Sequence, residues 1–175
     1  MKRLITFTLA ALITVAAFSQ EKQVYENGYI VRQGDTAPDF NVSEAGGKTY
    51  RLSNLRGKVV MLQFTASWCG VCRKEMPFIE SEIWQPGKDK GLVVIGIDRD
   101  EPEKTVVKFK DDMKITYPLA LDPGADIFGL YALKESGVTR NIIIDRKGNI
   151  IFLTRLFERE EFDSMKEVIF SELAK

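Results

Sequence analysis

Cys69 and Cys72 are the two cysteines of the chain, three positions apart in SWCGVCRKEMP, Ser67–Pro77, and the chain has no histidine. Three chemistries use such a pair: a structural disulfide, half of a metal site, or a dithiol that exchanges disulfides. A structural disulfide gains more the longer the loop it closes, so a loop over two intervening residues gains little. A structural zinc site takes four ligands, and carboxylates would have to supply the remainder here. Without histidine, Ser–His–Asp and Cys–His catalysis are excluded. Redox exchange needs one nucleophilic thiol and a second within reach. At the start of a helix, unpaired N–H groups and the positive dipole end favour a thiolate at Cys69. Cys72, one turn further in, is shielded yet near enough to resolve a mixed disulfide.

Such a pair needs a strand that ends just before it and a helix that starts at it. Lys58 to Thr65, KVVMLQFT, is an almost unbroken apolar run and reads as a strand buried on both faces. Val71, Met76, Ile79, Ile83 and Trp84 recur at helical spacing, which predicts a helix from about Gly70 to Trp84 ended by Pro86-Gly87 and kinked at Pro77. Further along, LVVIGI (92–97) reads as a second buried strand. A helix opens at Glu101-Pro102-Glu103 and runs to about Met113. Tyr117 to Leu121 reads as a short strand, Asp122 to Gly124 as a turn and Ala125 to Leu133 as a short helix. Residues 141–145 and 149–154 read as a β-hairpin and 160–173 as an amphipathic helix. Upstream, NVSEAGGKTYRL reads as a β-hairpin, GDTAPDF as extended, and YENGYIV as a short strand or hairpin about Asn27-Gly28. The expected fold is α/β: a three-layer α/β/α sandwich on a mixed central sheet, with an added N-terminal β-hairpin.

The chain opens MKRLITFTLAALITVAAFSQ, a charged start, a short apolar run and small residues around Phe18. This pattern predicts a signal peptide, residues 1–19, cleaved near Ser19/Gln20, because the run falls short of the roughly 20 residues a membrane span needs. Residues 20–33 then form an N-terminal extension and 34–175 one domain. Loss of the leader removes Lys2 and Arg3 from 25 basic residues and nothing from 25 acidic ones, which leaves about −2. That balance gives no reason to expect nucleic acid or an anionic membrane as partner.

Trp68-Cys69-Gly70-Val71-Cys72 after a buried strand resembles the active-site segment of the thioredoxin fold. With Arg73-Lys74-Glu75-Met76-Pro77, the leader and Ala37-Pro38-Asp39-Phe40, the chain resembles the TlpA/ResA-like exported thiol–disulfide oxidoreductases from about Gly34 to its C-terminus. The resemblance implies a periplasmic reductant of protein disulfides, recharged by a membrane thiol electron donor and not inserted in the membrane after cleavage. It implies no metal and no cofactor beyond a redox-active Cys69–Cys72 disulfide. Cys69 would attack, Cys72 resolve and Glu75 tune proton transfers, while Trp68, Gly70, Val138 and Thr139 would meet the substrate and Gln63 and Arg140 would support the site. Each has a plainer reading: Glu75 and Arg140 as surface charges, Gln63 and Trp68 as core, Thr139 as a turn residue. Three positions depart from the pattern. Gln63 stands where thioredoxins carry an acid, Val71 where a proline is common, and Thr139 where the family has a cis-proline. A cis bond before Thr139 is not expected, because it costs about 2.5–4 kcal/mol without proline.

Two rivals remain. Ala37–Phe40 and Thr139–Asp145 (TRNIIID) are reminiscent of peroxiredoxins. Those enzymes need a Pro and a Thr at fixed places before the attacking cysteine, and here Leu62 and Ala66, or Thr65 and Cys69, stand there. A redox-silent binding module of the same fold would be expected to have lost one of its cysteines.

Overall fold

The computed structural model describes residues 23–175. The expected signal peptide and the first residues of the N-terminal extension lie outside the described residues.

A five-stranded sheet runs in the order β5-β4-β3-β6-β7. Its central strand is β3, Val59–Thr65, in which every residue is buried, as the unbroken apolar run predicts. Parallel to it lies β4, Leu92–Arg99, and parallel to β4 lies β5, Leu119–Asp122. On the other side β6, Arg140–Ile144, and β7, Ile150–Arg155, are antiparallel, joined by the expected hairpin at Asp145–Gly148. A separate small sheet pairs β1, Asn41–Ser43, with β2, Thr49–Arg51.

One face of the sheet is covered by helices: α1, Gly70–Phe78; α2, Gln85–Gly87; α3, Glu103–Met113; and α4, Arg159–Leu173. Met76, Ile79 and Ile83, Val106 and Phe109, and Phe162, Met165 and Ile169 meet Val59, Met61, Val94 and Ile143 there. The opposite layer is built from the β1–β2 hairpin, the N-terminal segment and the stretch after β5. Phe40, Val42, Leu52, Phe128 and Tyr131 pack there on Val60, Leu62, Phe64, Ile95 and Ile142.

Three local expectations are corrected. The helix expected over Ala125–Leu133 is a single 3₁₀ turn, Phe128–Leu130. Asp122 caps the amides of Ile127 and Phe128 at 2.7 and 2.9 Å, and the carbonyl of Tyr131 goes to Ile30 N–H across the chain. Pro86-Gly87 does not end the first long helix. After Pro77 the chain widens into a π-helical stretch, Ile79–Trp84, continues through α2 and stops at Gly91, φ +93°. Pro86 lies inside this continuous run, directly after the π-helical stretch whose last turn closes with Gln85 N–H on the Glu80 carbonyl. The hydroxyl of Ser81 donates to the Pro77 carbonyl at 2.8 Å. Finally, Tyr25–Val31 is a turn with Asn27 and Gly28 both left-handed, followed by a single bridge from Tyr29 to Ala132, and not a strand pair.

Candidate active site

Cys69 is the N-cap of α1, and its Sγ accepts the Cys72 N–H at 3.2 Å. The strand–helix junction thus places the sulfur where the helix leaves amides unpaired. The two cysteines are joined as a disulfide with Cα atoms 5.3 Å apart. Cys72 is fully buried and Cys69 retains 7% exposure, so one sulfur faces outward and its partner does not. The amide that meets Cys69 belongs to Cys72; Val71 contributes a side chain packed against the core.

Thr139, the residue just before β6, closes the site from the other side. Its Oγ1 lies 3.2 Å from Cys69 Sγ and 3.4 Å from Cys72 Sγ, and no peptide bond among the described residues is cis. A hydroxyl therefore stands against both sulfurs, able to donate to whichever is ionised. Trp68 is 65% exposed, which sets aside its core reading. With Gly137, Val138, Arg99, Asp100, Glu135 and Ser136 it lines a cleft of about 430 Å³ beside the disulfide. Gly70 is exposed, with open space where a β-carbon would lie, so a close approach from outside finds no obstacle there.

Glu75 is not a surface charge. It is 1% exposed, one helical turn beyond Cys72, and its Oε1 accepts Asn141 Nδ2 at 2.6 Å while Oε2 has no partner. Burial pushes its carboxyl up to about 7, against the pull of the Asn141 and Gln63 amides. Gln63 faces neither a thiol nor a backbone group. Its Oε1 accepts Tyr117 Oη at 2.8 Å, and its Nε2 stops short of hydrogen-bond geometry with the carboxyl it influences. Asn141 also donates to Thr154 Oγ1 at 2.9 Å. Gln63 and Asn141 are register partners on β3 and β6, so their side chains rise together under α1. Asn141 was legible as the one polar residue opening the run NIIID; nothing in its spacing pointed to Glu75.

Arg140 is corrected. It touches no sulfur and is no surface residue. It is fully buried on the other face of the sheet, its guanidinium 4.4 Å from the Tyr29 ring centroid and 5.6 Å from that of Phe128. Its Nη2 donates to the Asn27 carbonyl at 2.6 Å and its Nε to that of Gly137 at 3.2 Å. Two acids near the pair are also new. Glu101 accepts the Ser67 N–H at 2.5 Å and its hydroxyl at 2.6 Å, fixing the turn that presents Trp68 and Cys69. Asp98, buried at the end of β4 with neither oxygen partnered, is pushed up to about 8 by burial and then by Glu101. No group of three or more His, Cys, Asp or Glu among the described residues is placed to hold a metal, and no helix among them is long and apolar enough to cross a membrane.

A buried strand, a CxxC disulfide capping the next helix and a terminal antiparallel hairpin define a thioredoxin-like thiol–disulfide site, and the chain belongs to the AhpC/TSA family, matched over residues 33–153. Among its relatives are the thiol–disulfide oxidoreductases ResA. That of Geobacillus kaustophilus is 30% identical over 173 residues, covering 96% of this chain and 97% of its own. That of Bacillus cereus is 36% identical over 118 residues, covering 67% of this chain and 66% of its own length, so the chain spans about two thirds of that relative. A solution structure from Bacteroides thetaiotaomicron, provisionally assigned as a protein disulfide isomerase, is 59% identical, covers 85% of this chain and 94% of its own, and superposes with a TM-score of 0.82.

Proposed function

We propose that the chain is an exported reductant of protein disulfides, working in the periplasm after removal of residues 1–19. The observation that carries the reading is Cys69 Sγ at the helix N-cap, touched by the Cys72 amide and the Thr139 hydroxyl, with Cys72 buried behind it. In the reduced protein the Cys69 thiolate attacks one sulfur of a substrate disulfide. The Cys69–substrate bond forms and the second substrate sulfur leaves as a thiolate that takes a proton. Cys72 loses its proton and attacks Cys69, which releases the first substrate sulfur and closes the Cys69–Cys72 disulfide. Two electrons have passed to the substrate, and a membrane thiol donor returns two to the pair. Glu75, with a carboxyl that titrates near neutrality, is suited to take the Cys72 proton. Trp68, Gly70, Val138 and Thr139 form the surface on which the substrate segment lies.

The relatives named as thiol–disulfide oxidoreductases support exchange over peroxide chemistry. So does Arg140: a peroxidase reading would put its cation at the attacking sulfur, and it points instead to Tyr29 and Asn27. An intact, bonded pair speaks against a redox-silent module.

The test is Cys69→Ser, expected to abolish disulfide reduction, beside Cys72→Ser, expected to accumulate a mixed disulfide through Cys69. Retained reductase activity in Cys69→Ser would overturn the mechanism. A reduction potential near −270 mV supports a reductant, and one near −120 mV an oxidant.

A further inference from the structure

The segment 134–139 brings Val138 and Thr139 to the sulfurs, and guanidinium groups from three strands converge on it. From the end of β4, Arg99 Nη1 donates to the Ser136 carbonyl at 2.9 Å and Nη2 to that of Lys134. Arg140, at the start of β6, donates through Nε to the Gly137 carbonyl and through Nη2 to Ser136 Oγ at 2.9 Å. Arg155, at the end of β7, donates through Nη1 to the Thr139 carbonyl at 3.3 Å, beside the Leu156 N–H that reaches the same oxygen. Its guanidinium lies against Gly137, where a β-carbon would collide with it.

None of the three arginines forms a salt bridge among the described residues, where the ion pairs belong to other arginines and lysines. Arg99 and Arg140 instead flank the Phe128 ring, at 4.4 and 5.6 Å from its centroid. Burial above all, and then the like charges of Arg155 and Arg99, make Arg140 easier to deprotonate, so bringing the three together has a cost that their carbonyl acceptors must offset. A strap closes the arrangement from behind. The Asn27 carbonyl accepts from Arg140, the Gly28 carbonyl accepts the Leu133 N–H at 2.9 Å, and Tyr29 lies beneath the guanidinium. Gly28 is left-handed, φ +75°, and a β-carbon there would come within 3.0 Å of Ser136 Cβ.

We propose that Arg99, Arg140 and Arg155 are positioning residues of the redox site: they clamp segment 134–139 by its carbonyls, with the 27–29 strap as backing, and so hold the Thr139 hydroxyl between the two sulfurs. The proposal rests on the reading of Cys69 as the attacking thiol. In the reduced protein a fixed Thr139 Oγ1 donates to the Cys69 thiolate and favours it; a loose one does so only part of the time. The clamp thereby makes a threonine rigid at a place where its own backbone imposes no such constraint.

The experiment is a mutant cycle on the reduced full chain. Its readouts are the pH midpoint of Cys69 alkylation, located by mass spectrometry, and the thermal midpoint. Thr139→Val keeps the branched shape, removes the hydroxyl and should raise the alkylation midpoint by about one unit, roughly a tenfold loss of thiolate at a fixed lower pH. Arg99→Ala with Arg155→Ala, both at half-buried positions, should give most of the same shift, and adding Thr139→Val should then shift it little further. Arg99→Lys with Arg155→Lys should restore part of it. The proposal is overturned if the arginine and threonine shifts add in full, if the arginine pair lowers only the thermal midpoint, or if Thr139→Val leaves alkylation unchanged. Should the double variant lack a cooperative transition, each single arginine variant is read in the same cycle against the same outcomes. Failure of the mechanism itself would appear separately, as reductase activity surviving Cys69→Ser in an otherwise unaltered chain.

Discussion

Arg140 and Asn141 are neighbours on β6 and point to opposite faces of the sheet, and the two faces treat a buried ionisable group in opposite ways. On the strap side the Arg140 guanidinium is surrounded by two aromatic rings, two carbonyls and a hydroxyl, all acceptors or π-faces that suit a cation. Burial lowers its pKa, yet from 12.5, so it stays charged at any working pH. On the helix side Glu75 receives one amide hydrogen bond and leaves its second oxygen without a partner, and its carboxyl titrates near 7. Both residues are almost wholly removed from water. Each leaves one buried atom without a partner, Arg140 Nη1 and Glu75 Oε2. What separates them is that three hydrogen bonds and two rings hold a guanidinium whose ordinary pKa lies far above neutrality, whereas a single amide holds a carboxyl that burial carries to neutrality.

The largest effect should come from unmaking the more heavily bonded side. Arg140→Met keeps the length and much of the apolar stem but strands the Asn27 and Gly137 carbonyls and loses both ring contacts. Hydrogen bonds from a charged group are worth about 1.5–3 kcal/mol each, so the urea midpoint should fall by the equivalent of about 3–5 kcal/mol with little change in slope. A loss under about 1 kcal/mol would mean that the guanidinium is only tolerated there.

Next comes the sparsely bonded side, with the opposite sign. Folded Glu75 holds its proton up to about pH 7, whereas the unfolded chain releases it near 4.5. Between those values the native state binds the extra proton, so stability falls as pH rises from 4.5 through 7. Glu75→Gln can still accept from Asn141 and never ionises. Its stability should therefore run flat across that window and exceed the wild type by up to about 3 kcal/mol above pH 7.5. Exchange rates should lose their inflection near neutrality. Parallel pH profiles of the unfolding free energy in the two proteins would break the comparison, because they would show Glu75 ionised throughout.

The same contrast separates what was legible in the sequence from what was not. β3 is apolar at nearly every position, so burial on both faces could be read directly, and Cys69 as a helix cap followed from the strand ending just before it. Arg140 could not be placed, because its acceptor at Asn27 is 113 residues away in sequence and its ring partner Tyr29 comes from a segment that reads as a short strand or hairpin and folds as a turn. Glu75 sat in a helix whose other charges face water, and its burial depends on Gln63 and Asn141 meeting in register across two strands. The missed 3₁₀ turn at Phe128 has a local cause: Ala125, Ile127, Phe128 and Tyr131 do bury their side chains at near-helical spacing, but Ala125 is left-handed, φ +54°, and the Leu130 and Tyr131 N–H groups close on the carbonyls of Ile127 and Phe128, three residues back. Local period was legible there; backbone conformation decided that turn, and non-local partners decided Arg140 and Glu75.

The smallest effect tests how finely Glu75 is set. Thr154 touches neither the carboxyl nor the sulfurs; its Oγ1 takes the second hydrogen bond of Asn141 Nδ2, and its carbonyl accepts Tyr29 Oη at 2.5 Å from the other face. Thr154→Val keeps shape and backbone and removes only that acceptor. Loss of one neutral hydrogen bond should cost about 1 kcal/mol. The amide of Asn141, no longer held from behind, should bond Glu75 less persistently, and that bond is one of the interactions that favour the carboxylate. The Glu75 midpoint, followed by the chemical shift of its carboxyl carbon, should therefore move up from about 7. A downward movement would mean that the freed amide donates to Glu75 more strongly, and that Thr154 competes with the carboxyl for Asn141 and does not orient it.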